Sequence, residues 1–355
     1  MAELDIGGTT TTNMEGTVKD FEVAPQQTDG PGEQQETFHD YVNFTKYFGY
    51  YKEIPELKKA IDALATWTIG KGFTTDDATQ VSLARMTGSG KDTIETIFWN
   101  MFVMKKAIGG SFTEIIKNPK GTLINLKPLN TGSMRTIYGP KGDIIRFEQR
   151  ENATTKRTFK PTEMLYLLND RVADDMGGTS IIEACQWVID ARNEAMEDKR
   201  RVHHRSTIRV IEVDSGNKAR LAIIKTQYGE AIKNGEVLLV PKGNYAFPDA
   251  PINFLDTQEW IRYLENFFYQ AVGVPRVIAT SENFTEASSK VGYLTFEPVY
   301  TREQVILEAE LWSQLGIRVK FNRPPSLMGN VQKDEAANTG QVGFQPNDVQ
   351  AGAGQ

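Results

Sequence analysis

Apolar residues recur at helical spacing most clearly in two stretches, and the rest of the chain is arranged around them. In Ser180–Arg205, Ile181, Ala184, Cys185, Val188, Ala191 and Ala195 fall on one helical face. Ser180 with Glu183 three residues on gives the pattern of a capping box, in which each side chain satisfies the other's free backbone N–H. In Asp256–Val272, Ile261, Leu264, Phe268 and Ala271 form the stripe, Asp256 and Glu259 repeat the capping pattern, and Gly273 with Pro275 ends the helix. Between them lie a strand (Thr207–Asp214), a short helix over 217–234 and a second strand (Gly235–Gly243), which predict a small α/β module carried by two rods.

Upstream, residues 1–40 are poor in large apolar groups and are expected to be a flexible arm. Order is expected from the aromatic cluster Tyr41, Phe44, Tyr47, Phe48, Tyr50 and Tyr51, followed by a helix opened by Pro55. Residues 74–91 look like a polar loop, and Asp92 is the expected cap of a helix rich in Ile, Phe, Trp and Met. From 110 the period shortens. Extended segments alternate with Asn-Pro, Pro-Lys-Gly and Gly-Pro-Lys-Gly turns up to Pro161, which predicts an antiparallel meander. After Pro275, the stretch 279–291 shows no period; Thr295–Gly316 is helical, with Thr301 and Gln304 in capping-box positions, and Ile317–Pro325 contains a last strand. Residues 326–355 are rich in Gln, Gly and Asn and are expected to be a flexible tail.

Composition narrows the chemistry. The chain has 355 residues and a net charge of −6, which argues against a broad basic DNA-gripping surface. No apolar run is long enough for a membrane span. The N-terminus lacks the basic and apolar regions of a secretory signal, and the single cysteine, Cys185, fits a reducing compartment as a small buried hydrophobe. Thr87-Gly-Ser-Gly-Lys91 tempts as a phosphate loop, but Arg85 stands where the first glycine belongs and Asp92 where Ser or Thr belongs. The three histidines and the Asp170, Asp174, Asp175 cluster lack metal-ligand spacing, and no nucleophile elbow occurs. Neither catalytic residues nor a cofactor or metal are therefore expected, which favours a structural or assembly role. One charged feature remains: Lys199, Arg200, Arg201, His203, His204, Arg205 and Arg209 form a basic block free of acids at the end of the first rod. It complements the helix dipole and suits either a neighbour's Glu194, Glu197 and Asp198 or weak phosphate contact.

The order of these parts over about 110–325 resembles the portal proteins of tailed double-stranded DNA phages and related archaeal viruses. The resemblance is carried by Gly110-Ser-Phe-Thr-Glu-Ile-Ile, Leu126-Lys-Pro-Leu, Phe159-Lys-Pro-Thr-Glu-Met-Leu-Tyr-Leu, Gly177-Gly-Thr-Ser-Ile-Ile-Glu-Ala, Gly235-Glu-Val-Leu-Leu-Val-Pro-Lys-Gly, Asp256-Thr-Gln-Glu-Trp and Gln270-Ala-Val-Gly-Val-Pro275. It implies an α+β portal-like fold: an N-terminal arm (1–40), a wing (41–179), stem helices (180–205 and 256–275), a clip (206–255), a tunnel loop (276–291), a wing-crossing helix and strand (292–325) and a C-terminal tail (326–355) with a vestigial or absent crown. It further implies a non-enzymatic ring of usually twelve copies at a capsid vertex of the virion, assembled in the host cytoplasm, for DNA packaging and ejection. The implied partners are double-stranded DNA (held weakly and without sequence preference), the terminase large subunit, the major capsid protein and neck or adaptor proteins, with no membrane. The resemblance makes Ser281, Glu282, Asn283, Phe284, Glu286, Ser288, Ser289 and Lys290 the tunnel-loop residues. It makes Lys218, Arg220, Lys225, Tyr228, Glu230 and Lys233 the clip's terminase contact. The competing readings are an oligomeric virion adaptor without a DNA channel and a DNA-processing NTPase using residues 85–92.

Overall fold

The computed structural model describes residues 36–324 apart from 140–141, 152–153, 174, 206–208, 214–221, 224–225, 227–228, 230–236, 242–253 and 281–284. The predicted arm at 1–35, the helix at 217–234 for the most part, and the tail from 325 lie outside the described residues.

Aromatic and aliphatic periodicity builds the helical layer. Helices α1 (Phe44–Glu53) and α2 (Pro55–Ile69) are divided by extended Ile54, and Pro55 takes the first turn of α2, where its missing N–H costs no helical bond. Residues 74–91 depart from the expected loop: α3 (Asp77–Ala84) forms there because Asp76 accepts Thr79 N–H at 3.0 Å as its cap. The next helix, α4 (Ile94–Ile108), is capped by Thr93, one residue later than expected, and ends on Gly109 at φ 101. That glycine is required: a Cβ there would lie 2.3 Å from the Gly178 carbonyl oxygen, where two backbone segments cross.

The extended region forms two antiparallel sheets rather than one meander. Strands β3 (Gly110–Lys117), β4 (Leu123–Leu129) and β8 (Met164–Leu168) make a three-stranded sheet with β3 central. Strands β5 (Met134–Tyr138), β6 (Ile144–Glu151) and β7 (Thr154–Phe159) make the second sheet, with β1 (Thr37–Asp40) added on its edge. Residues 37–40, expected in the flexible arm, are therefore a paired strand with Thr37 opposite Tyr138 and Asp40 opposite Arg135. Short 3-10 turns at Thr131–Ser133 and Pro161–Glu163 pass the chain between the sheets, the first fixed by Asn130 Oδ1 accepting Gly132 N–H at 3.0 Å. Phe112, Met134, Phe147, Phe159, Met164 and Tyr166 fill the small core the sheets share, while a larger continuous core runs under the helices. A two-stranded pair, β2 (Phe73–Thr74) with β11 (Lys320–Phe321), ties the end of the described chain to its first half.

Candidate functional site

The two rods are present, with altered ends. The first is broken: α5 (Ile181–Ala184) and α6 (Gln186–Arg205) are divided at Cys185, whose N–H bonds Ile182 three residues back before the ladder restarts from its own carbonyl. Ser180 does cap, but on Ile182 N–H at 3.0 Å, and it also donates to the Ala107 carbonyl at 2.5 Å. Tertiary anchoring thus replaces the expected box with Glu183. Cys185 is buried, and burial pushes its thiol up to about 11, far from the range of a reactive thiolate.

The second rod, α7 (Phe254–Val272), begins ahead of Asp256, so Asp256 lies inside the helix rather than at its cap. It ends in a Schellman motif: Val274 N–H bonds the Tyr269 carbonyl and Gly273 N–H the Gln270 carbonyl, with Gly273 at φ 77. Pro275 caps the one-turn α8 (Arg276–Ala279).

Buried charge joins the rods to the body. Arg192 of α6, 8% exposed, donates to Glu56 of α2 at 2.8 Å and stands 3.9 Å from Glu265 of α7. Burial, then repulsion from Glu56, raises the Glu265 carboxyl above the usual range. The outward faces carry an aromatic ladder. Trp260 stacks on Tyr263 at 5.6 Å, Tyr263 meets Phe267 edge-on at 5.1 Å, and Phe267 meets Trp187 of α6 at 5.3 Å.

At the far end of the pair, β9 (Arg209–Val213) and β10 (Val237–Pro241) pair in parallel, Val237 opposite Arg209. The segment that connects them lies for the most part outside the described residues. On α6, Lys199 is half-buried and Arg200 exposed; the backbone of Arg201, His203, His204 and Arg205 completes the helix, and Arg209 opens β9. Lys218, Arg220, Lys225, Tyr228, Glu230 and Lys233 lie outside the described residues, as do Ser281, Glu282, Asn283 and Phe284.

The stretch 279–291 is only partly aperiodic. Thr285 accepts Ser288 N–H at 3.3 Å and caps α9 (Glu286–Leu315), a helix of 30 residues that begins well before the expected Thr295. Glu286, Ser288, Ser289 and Lys290 occupy its first turns, with Lys290 3.1 Å from Glu286. The first turns are polar, so hydrophobic periodicity does not reveal them. Gln304 is not a cap: it is buried and donates to the Thr68 carbonyl of α2 at 2.8 Å. Pro298 sits inside α9, where it removes one ladder N–H.

The phosphate-loop look-alike is closed by its own contacts. Asn125 Oδ1 accepts both Thr87 and Gly88 N–H, at 3.2 and 3.0 Å, and its amide returns a bond to the Gly88 carbonyl. Those N–H groups are the kind a phosphate would need. Among the described residues, no group of His, Cys, Asp and Glu is placed to hold a metal, and no helix is long and apolar enough to cross a membrane.

Neither a protein-family model nor a curated protein matches the chain. Solved structures do. A chain in the virion of the native gene transfer agent particle matches with TM-score 0.60 at 16% identity, over 86% of this chain and 91% of that one. A chain in the neck of the native gene transfer agent particle, computed with C12 symmetry, matches with TM-score 0.57 at 16% identity, over 89% and 94%. An HK97-family phage portal protein from Corynebacterium diphtheriae matches with TM-score 0.51 at 14% identity, over 80% of this chain and 96% of that one. Most of both chains superimposes in each case, and the chain therefore has the α+β fold of a phage portal protein.

Proposed function

We propose that the protein is a portal subunit that closes into a ring, usually of twelve copies, through which double-stranded DNA passes at a capsid vertex of a virion. The observation that carries this reading is the paired rods α6 and α7, bearing the β9–β10 module at one end and an outward aromatic ladder along the side, in a chain sharing its fold with a portal protein and with a chain of a C12 particle neck. A helix pair with half-exposed aromatic groups gains stability from a neighbour, and head-to-tail repetition around a closed ring gives every copy one.

In this reading residues 206–255 are the clip that meets the terminase large subunit and neck or adaptor proteins, through Lys218, Arg220, Lys225, Tyr228, Glu230 and Lys233. The body formed by 41–179 and α9 is the wing that meets the major capsid protein. Ser281 to Phe284 with Glu286, Ser288, Ser289 and Lys290 form the tunnel loop, and the block from Lys199 to Arg209 supplies weak phosphate contact or intersubunit pairing. A channel that lets DNA slide should neutralise few phosphates, because each one neutralised tightens binding, and an acidic chain with sparse cations meets that requirement.

Electron microscopy of the purified protein, with mass measured in parallel, tests the ring. Rings of about twelve copies with a hole wide enough for a duplex are expected. A monomer at micromolar concentration across several salt conditions overturns the reading, and closed rings without a hole favour an adaptor. Deletion of 281–284 then tests the loop: rings should form yet fail to package or retain DNA.

A further inference from the structure

His39 sits on β1, the edge strand through which the chain enters the fold. Its ring meets Tyr41 edge-on at 4.8 Å. Its Nε2 is buried without a hydrogen-bond partner and faces the backbone of Gly177, where a Cβ would lie only 2.0 Å away. Neighbouring contacts fasten the same two segments together. Tyr41 Oη lies 3.0 Å from Tyr166 Oη and accepts Gly178 N–H at 3.5 Å, and the Tyr138 hydroxyl donates to the Met176 carbonyl. Two residues after Gly178, Ser180 caps the first rod. β1 therefore closes over the segment that launches the stem.

We propose that His39 is an acid-operated latch: its protonation expels the ring from its seat on Gly177 and releases β1 from the sheet while the rest of the body stays folded. A neutral imidazole tolerates this seat because one nitrogen behaves as part of an uncharged ring edge. An imidazolium carries N–H on both nitrogens, and the Nε2 proton would point at the Gly177 backbone, where the structure gives Nε2 no hydrogen-bond partner.

The surrounding groups set the direction. Burial lowers the His39 pKa below the ordinary value, and the Asp40 and Asp175 carboxylates act against it without reversing it. Asp40 is already engaged by Arg135 across the β1–β5 pair. Tyr41, pushed up to about 12 by burial, stays neutral throughout, and Thr136, the residue opposite His39 on β5, carries no charge. Glu183 of α5 lines the 320 Å3 cleft beside the histidine, which gives water a route to the seat once the ring moves. Because the seated pKa lies below the released one of about 6.5, the released strand binds the extra proton. The latch holds above that pH and weakens as pH falls through it. The latch concerns a single copy's own fold and stands whether or not the channel reading does.

Hydrogen–deuterium exchange of the full chain, corrected for the intrinsic effect of pH, tests it at pH 7.5 and 5.5. Wild type should lose several-fold, up to about tenfold, of its protection over 36–41 at the lower pH, with 164–168 and 181–192 unchanged. His39→Phe, which fills the seat without titrating, should keep protection at both values. Equal protection of wild type at both values, the same loss in His39→Phe, or a uniform loss over the whole chain overturns the latch. Should His39→Phe fail to fold, exchange at the imidazole C2 of wild type still decides: a midpoint at or above about 6.5 overturns the proposal.

Discussion

Helices α4 and α7 are both amphipathic and both rich in aromatic residues, yet they end in opposite conditions. Phe98, Met101 and Phe102 of α4 are fully enclosed, and the two lysines of its last turn are buried too, with Lys106 donating to Glu303 at 2.8 Å and to Asn169 at 2.8 Å, and Lys105 3.4 Å from the same Glu303. α7 encloses Ile261, Leu264 and Phe268 but leaves Trp260 47% and Tyr263 53% exposed. α4 buries most of its apolar residues within the chain; α7 buries one face and leaves two large aromatic rings half exposed. The difference separates residues enclosed in the core from residues left half exposed, and it can be tested by attacking each kind in turn.

The largest effect belongs to the closed helix. Phe102→Ala should cost about 3–5 kcal/mol in chemical denaturation, because the large core around it cannot collapse fully into the space left. A loss below about 1 kcal/mol would mean that α4 is not the centre of that core.

Next is the buried charge that clamps α4 to α9. Glu303→Gln removes the carboxylate that both buried ammonium groups contact and should cost about 3 kcal/mol. Pairing with Lys106 and Lys105 holds the Glu303 carboxyl below its ordinary value, against the effect of burial. With the folded value depressed, the clamp is fully present above the unfolded value of about 4.3 and is lost as pH falls through the folded one. Wild type should therefore show a steeper fall in stability on acidification below that value than Glu303→Gln, and parallel curves would show that the pair does not act as a clamp.

The open face should behave in the opposite way. Trp260→Ser combined with Tyr263→Ser should change the stability of an isolated copy by no more than about 0.5 kcal/mol per site, since neither ring is in the core. The same pair should weaken ring assembly at least tenfold, roughly 1.4 kcal/mol, as measured by sedimentation or mass photometry. Unaltered assembly would show that the ladder faces solvent in the ring as well.

Legibility in the sequence follows the same division. Periodicity located both rods and the ends of α2 and α7 because Pro55 and Gly273 mark them chemically. It missed α3, whose cap Asp76 is plain but whose only buried residue is Leu83. It missed the first turns of α9, which are polar, and it read Gln304 as a cap when that residue is buried against α2. Alternation identified strands but not their partners: the split into two sheets depends on 3-10 turns at Thr131 and Pro161 that look like ordinary strand ends. At the candidate site, the basic block was visible as a run of charge, whereas the Arg192–Glu56 link joins residues 136 apart and has no local signature.

The smallest effect separates a loop that looks functional from one that is structural. In Thr87–Lys91 the lysine gives the motif its appearance, but Asn125 holds the loop. No hydrogen bond to the Lys91 ammonium fixes a conformation there among the described contacts, so Lys91→Ala should move stability by less than about 0.5 kcal/mol and leave nucleotide binding at background. Asn125→Ala removes the acceptor of Thr87 and Gly88 N–H and the donor to the Gly88 carbonyl together, and should cost about 1–2 kcal/mol with faster exchange at those amides. If Lys91→Ala instead abolished a measurable ATP turnover, the loop would be catalytic despite its closed N–H groups, and the structural role assigned to Asn125 would have to give way.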